Sequence, residues 1–185
     1  LFRHALEVGK RVRTETAISR NITSVSQAAV AMATDRLGTL EGRKVLVVGA
    51  GEMGEGLARA LHGGGVAQIL VANRTWERAV EVAERLGGNA VRLDDLPHHL
   101  AEVDVLLTST GASAVILEHG DLATVVGERD GRGLLVVDIA VPRDVDPAAG
   151  EIEGITLLDM DDLRDFAAAG IRERQREVTA VQAIV

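Results

Sequence analysis

From residue 43 onward, short apolar runs alternate with amphipathic stretches, and the alternation predicts strands and helices in turn. Lys44-Val45-Leu46-Val47-Val48 is a continuous valine-rich run, the pattern of a strand covered on both faces, as in a parallel sheet. A helix is expected over 52–62, ended by Gly63-Gly64-Gly65. A second strand follows over 68–72, then a helix over 76–86 stopped by Gly87-Gly88. A short third strand near 90–93 leads into a helical turn near 96–102. Strands are expected again over 104–108, 134–138 and 155–158, with a helix over 122–127 before the second of these. Strands alternating with helices make a parallel sheet with helices on both faces, and right-handed crossovers give an α/β, doubly wound fold.

The flanks read differently. Residues 1–16 have the pattern of an amphipathic helix, with Phe2, Leu6, Val8 and Val12 apolar and basic residues between. Residues 16–23 break that pattern with polar side chains and Asn21, as a loop or hinge does. Thr23 or Ser24 then offers an N-cap for a helix through Val25, Ala28, Ala29, Met32 and Ala33 to about Leu37, with Gly38 as its stop. After Asp159-Met160-Asp161-Asp162 a short helix is expected to reach Ala168, with Gly170 interrupting it. Residues 171–185 resume a helical pattern and stop at Ala183-Ile184-Val185, an apolar ending expected inside a longer helix. The start, Leu1-Phe2-Arg3-His4, has neither an initiator Met nor a signal pattern and reads as a cut end.

Charge narrows the choice of partners. The formal charge is −8, yet residues 1–20 hold five basic against two acidic side chains, which leaves −11 for the rest. An acidic body argues against broad nucleic-acid binding by that body. The basic N-terminal stretch is either a solvated helix face or a contact to a phosphate backbone. The chain has no Cys, which removes disulfides, thiolate metal sites and a cysteine nucleophile and fits a cytoplasmic protein. No apolar run approaches the ~18 residues of a membrane span, so no membrane contact is expected.

The first strand runs into Gly49-Ala50-Gly51-Glu52-Met53-Gly54, a G-x-G-x-x-G sequence that opens the next helix. That context identifies a Rossmann-type dinucleotide loop. Gly49 permits the tight turn, Gly51 lets the backbone approach a pyrophosphate, and Gly54 lets helix and strand pack closely. The helix N-terminus supplies free N–H groups and partial positive charge. An acid at the end of the second strand would bind the ribose 2′-hydroxyl of NAD. Asn73-Arg74-Thr75 stands there instead, with Arg78 one turn on. Arg74 offers a planar fork of donors to a 2′-phosphate, and Thr75 a cap and a hydroxyl, so NADPH is the expected cofactor. The bland reading leaves Thr75 a plain N-cap and Arg74 a surface residue.

Ser109-Thr110-Gly111-Ala112 follows the fourth strand, where the nicotinamide end of such a cofactor would lie, or is a simple glycine turn. Asp138-Ile139-Ala140-Val141-Pro142-Arg143 follows the fifth, and its Arg143 either binds a substrate carboxylate or braces the loop. The five histidines form no ligand pattern, so no metal and no catalytic residue are assigned.

Taken in order, these segments resemble glutamyl-tRNA reductase. The resemblance rests on Val8-Gly9-Lys10-Arg11-Val12-Arg13-Thr14-Glu15-Thr16, on Ser24-Val25-Ser26 with its alanine-rich helix, and on the glycine loop. Asn73-Arg74-Thr75 with Arg78-Ala79, Ser109-Thr110-Gly111-Ala112 and Asp138 to Asp144 extend it over nearly the whole chain. It implies a catalytic-domain tail and hinge over 1–22, an NADPH-binding domain over 23–168, and the start of a dimerising spinal helix over 169–185. It implies glutamyl-tRNA as the substrate of the parent protein, a homodimer at full length, and the downstream aminomutase as a partner. The implied chemistry is a cysteine thioester reduced by NADPH to glutamate-1-semialdehyde in tetrapyrrole (porphyrin) biosynthesis. This sequence departs from that pattern in having no Cys, so it is expected to bind cofactor without turnover.

Two alternatives stand beside this reading. A shikimate dehydrogenase-like reductase shares the glycine loop and the Asn-Arg-Thr reader but needs a Lys–Asp pair before the loop. Lys10 is the only lysine before Lys44, and no Asp lies near it in sequence. A non-catalytic NADP(H)-binding module would equally lack a nucleophile.

Overall fold

The computed structural model describes Val8 and residues 24–184, the side chains of 173–184 excepted. The helix expected over 1–16 and the hinge over 16–24 therefore lie, apart from Val8 and Ser24, outside the described residues. Ala29–Met160 form one compact unit, and the described residues on either side of it belong to a second.

Helix α1 covers Val25–Leu37. At its start the Ser24 hydroxyl accepts the Gln27 N–H at 3.2 Å, the expected cap. Strand β1 (Lys44–Val48) leads into α2 (Glu52–Gly63), and β2 (Gln68–Ala72) into α3 (Trp76–Leu86). Gly87 ends α3 in the left-handed region, and Gly88 N–H reaches back to the Ala83 carbonyl at 2.8 Å. That bond satisfies a carbonyl the helix end would orphan. Then come β3 (Asn89–Val91), a 3-10 turn (Leu93–Asp95), α4 (Leu96–Glu102) and β4 (Val105–Thr108). After α5 (His119–Gly127) the chain forms β5 (Leu134–Asp138), a second 3-10 turn (Pro147–Glu151), β6 (Ile155–Asp159) and α6 (Met160–Ile184).

All six strands are parallel, in the order β3-β2-β1-β4-β5-β6. This is the expected α/β, doubly wound, Rossmann-type sheet. Strand order reverses between β1 and β4, which opens a crevice beyond their carboxyl ends. The continuous apolar runs of β1, β4 and β5 are buried along nearly their whole length, because helices cover both faces. On one face Leu46, Val48, Leu70, Leu106 and Val136 pack with Leu100 of α4 and with Leu122 and Val125 of α5.

Two boundaries differ from the sequence expectation. Helix α5 begins three residues earlier, at His119, where the polar first turn carries no apolar period. Helix α6 continues through Gly170 instead of breaking there. A glycine inside a helix costs about 1 kcal/mol relative to alanine, which weakens a helix without ending it.

The opposite edge of the sheet is closed by arginines. Arg43 pairs with Asp104 at 2.9 Å, and Asp104 also accepts the Lys44 N–H at 2.9 Å. Arg129 has no exposed surface. It donates to the carbonyls of Arg132 (3.0 Å), Gly133 (2.7 Å) and Leu100, tying the end of α4 to the start of β5. Burial, and then the neighbouring Arg132 charge, lower its pKa.

Candidate functional site

At the carboxyl ends of β1, β2 and β4 lies a cavity of about 610 Å³. Its first wall is the glycine loop. Gly49 has φ +102°, a conformation L side chains rarely adopt. A Cβ at Gly49 would sit 2.6 Å from the Ser109 carbonyl oxygen, and one at Gly54 would sit 2.0 Å from Ser109 Oγ. The loop is thus pressed against the end of β4, and only glycine permits it. Gly51 is different. A Cβ there would meet only the Ser109 oxygen, at 3.5 Å, and would otherwise project into open space. Gly51, which lines the cavity, is also the N-cap of α2 and provides no side-chain cap, so the start of that helix is left uncapped.

The second wall follows β2. Asn73, Arg74 and Arg78 line the cavity. Asn73 Nδ2 donates to the Thr75 carbonyl at 3.1 Å, which shapes the turn into α3. Thr75 occupies the N-cap of α3, yet its hydroxyl makes no capping bond. Arg78 donates to Glu81 at 2.7 Å, and Glu81 is held in turn by Arg85, which clasps Glu55 of α2 with two nitrogens. These partners lower the pKa of Glu55, Arg85 first, and of Glu81, Arg78 first, and raise that of Arg85. Arg74 takes no part in this network, and among the described residues no carboxylate lines the cavity.

The third wall is the loop after β4. Ser109, Thr110, Gly111 and Ala112 line the cavity, with Ile116 beyond them. Ser109 Oγ is buried and has no hydrogen-bond partner among the described residues. Asp144 holds this loop from behind, accepting the Thr110 N–H at 2.8 Å and the Thr110 hydroxyl. Burial pushes the Asp144 carboxyl up, reinforced by the nearby Asp138 charge and opposed by the Thr110 bonds. Asp138 is also buried and fully used. It accepts Thr108 Oγ1, Ala140 N, Asp144 N and Val145 N, each at 3.0 Å.

Of the thirteen candidate residues, nine line the cavity: Gly49, Ala50, Gly51, Asn73, Arg74, Arg78, Ser109, Thr110 and Gly111. Four do not. Gly54 lies under Ser109, and Thr75 stands one residue outside. Met53 points outward, 56% exposed, and Glu52 lines a separate groove with Glu55, Arg59 and Arg85. The first turn of a helix fans its side chains outward, so a motif contiguous in sequence is divided in space. Sequence reasoning missed Leu93 and Ile116, apolar members of the lining that no motif marks. The Arg143 guanidinium pairs with Asp159 at the end of β6, a contact that braces the loop. No cluster of potential metal ligands occurs among the described residues.

The residues present fit a dinucleotide. An uncapped helix N-terminus and a loop in which a Cβ at Gly51 would intrude suit a pyrophosphate.

The family model for Shikimate / quinate 5-dehydrogenase matches residues 31–166. Along its whole length the chain is similar to glutamyl-tRNA reductase of Desulforudis audaxviator, 46% identical over 184 residues, which cover 41% of that protein. The solved glutamyl-tRNA reductase of Methanopyrus kandleri superposes with a TM-score of 0.94 at 44% identity, over 99% of this chain and 46% of that one. The nucleotide-binding domain of Thermoplasma volcanium glutamyl-tRNA reductase shares the fold, with a TM-score of 0.65 at 19% identity over 83% of this chain and 97% of that one. The chain thus spans less than half the length of the curated relatives it matches. With residues 31–166 matched by the family model, the chain belongs to the Shikimate / quinate 5-dehydrogenase family, whose Rossmann domain takes a nicotinamide cofactor, and its whole-length relatives are glutamyl-tRNA reductases.

Proposed function

We propose that this chain is the NADPH-binding part of a glutamyl-tRNA reductase, the enzyme that reduces glutamyl-tRNA to glutamate-1-semialdehyde. One observation carries the choice of cofactor: among the described residues, the cavity at the end of β2 holds two arginines, one of them unpaired, and no carboxylate. A carboxylate there would repel a 2′-phosphate, whereas the Arg74 fork attracts it. The pyrophosphate then lies on Gly49 to Gly51 at the start of α2, and the nicotinamide extends toward Ser109, Thr110 and Gly111. NADPH, when bound, supplies the hydride. This chain's residues bind it, orient it and align its two halves.

The nucleophile is a cysteine elsewhere in the whole protein, since none of the 185 residues is Cys. In that reading residues 1–22 are the tail of the catalytic domain, 23–168 the NADPH domain and 169–185 the start of the spinal helix. The whole protein is a cytoplasmic homodimer, and the aminomutase that consumes its product is a further partner. Among the described residues no helix is long and apolar enough to cross a membrane. Identity over the whole chain, not the shared domain alone, favours this reading over a shikimate dehydrogenase-like one.

The test is a fluorescence titration of wild type and Arg74→Ala with NADPH and NADH. Loss of charge-assisted bonds to a phosphate weakens NADPH by roughly 10- to 100-fold. NADH binding stays unchanged. An unaltered NADPH-to-NADH preference in the variant overturns the assignment.

A further inference from the structure

We propose that Asp144 is a positioning residue that sets the wall receiving the nicotinamide half of the cofactor, although it does not line the cavity itself. The inference rests on the reading that the cavity takes NADPH, with the adenosine end at Arg74.

Asp144 is wholly buried, one of few polar side chains that are. Its two oxygens are spent on a single residue, Thr110, through the backbone N–H at 2.8 Å and through the hydroxyl. The Thr110 hydroxyl oxygen then accepts the Ala112 N–H at 3.1 Å, so the constraint passes along the loop. The backbone of Asp144 is fixed just as firmly. Its N–H donates to Asp138 Oδ2 at 3.0 Å, and its carbonyl accepts Ile116 N–H at 2.8 Å and Leu117 N–H at 3.1 Å. Asp138 in turn ties β4 to β5 through Thr108. A buried carboxyl is costly unless its bonds are made, so Asp144 holds Thr110 in one orientation.

What is held lies on one side of the site only. Thr110, Gly111, Ala112 and Ile116 form the wall beyond β4, while Arg74 and Asn73 stand beyond β2, with the glycine loop between. A dinucleotide anchored at both the glycine loop and Arg74 has only its nicotinamide half left to meet that wall. Disturbing Asp144 therefore separates the two halves of the ligand.

The experiment titrates the wild-type chain, Asp144→Asn and Asp144→Ala with NADPH and with adenosine 2′,5′-bisphosphate, which carries the adenosine half alone. Thermal melts check that each variant folds. Asparagine keeps the volume but accepts one Thr110 donor where the carboxylate accepts two. Loss of one such bond weakens NADPH by about tenfold. The adenosine bisphosphate is expected to bind within twofold of wild type. Should the Asp144 variants not fold, Thr110→Val reproduces the selective loss and Thr110→Ser restores binding. Unchanged NADPH affinity in folded Asp144→Asn overturns the inference, and so does an equal loss for both ligands. Failure of the wild-type chain to bind either ligand overturns the cofactor reading beneath it.

Discussion

Gly49 and Gly51 lie two residues apart in one loop, yet replacing each with alanine has opposite expected consequences. At Gly49 a Cβ would lie 2.6, 2.7 and 2.9 Å from Ser109 O, Ser109 C and Thr110 N, all backbone atoms that cannot swing away. The backbone itself stands at φ +102°, which adds roughly 1–3 kcal/mol for any L side chain. Relief of the collision by separating β1 from β4 adds about 1–3 kcal/mol. Gly49→Ala is thus expected to lose roughly 2–6 kcal/mol, a fall in Tm of roughly 5–20 °C for a chain of this size. At Gly51 φ is −78°, which alanine adopts freely, and the added methyl meets only Ser109 O at an ordinary 3.5 Å. Stability should stay within about 0.5 kcal/mol. The methyl does enter the space assigned to the pyrophosphate, where crowding worth about 1–3 kcal/mol weakens NADPH roughly 5- to 150-fold. Differential scanning fluorimetry and a cofactor titration on the same samples separate the two effects. Wild-type NADPH affinity in Gly51→Ala would refute the placement of the ligand, and a wild-type melt of Gly49→Ala would refute the steric argument.

Three further outcomes follow from the charged groups. Arg129→Met removes the donors to three main-chain carbonyls, one of them buried, so a loss of roughly 2–4 kcal/mol and a Tm lower by roughly 5–15 °C are expected in a thermal melt, with cofactor affinity unchanged. Glu55, whose pKa Arg85 holds below 4.5, favours the folded state at and above that pH, and the contribution fades as pH falls through the lowered value. Glu55→Gln is therefore less stable than wild type at neutral pH, and the gap in denaturant midpoint closes below pH 4.5; a gap independent of pH contradicts the ion pair. Glu81→Gln frees Arg78 from its counter-ion, and since exposed pairs are worth about 1 kcal/mol at most, NADPH affinity should rise by no more than about fivefold, with NADH unaffected.

How far the sequence carries depends on which dimension holds the information. The valine-rich run of β1, the glycines after it and the residues ending β2 are local patterns, and each strand lies within a residue or two of its expected place. The doubly wound order follows from such alternation because crossover handedness leaves few other choices. Arg129 was illegible for the opposite reason. Arg129-Asp130-Gly131-Arg132 reads as a polar surface turn, and the carbonyls that bury its arginine come from Leu100 and Gly133, on other elements. Asp138 stands at the carboxyl end of β5, where an open sheet meets its ligands. Its four acceptor bonds go to backbone and hydroxyl groups of neighbouring loops, which no spacing rule displays. The apolar lining residues Leu93 and Ile116 follow the same logic, since an isolated apolar residue after a strand has no period of its own.

The two edges of the sheet divide the charged groups between them, and the division bears on function. At the amino ends of the strands, Arg43 and Arg129 are consumed by Asp104 and by main-chain carbonyls. At the carboxyl ends, Asp138 and Asp144 are consumed by N–H groups, and Arg143 is consumed by Asp159. After these bonds are made, the Arg74 guanidinium and the uncapped start of α2 are left, among the described residues, without a side-chain partner beside one cavity. Both suit a phosphorylated ligand. Arg78 lines the same cavity but must first leave Glu81, so its net contribution to a phosphate is smaller than that of Arg74. Under the proposed NADPH reading, Arg74 therefore counts for more than Arg78 in cofactor choice.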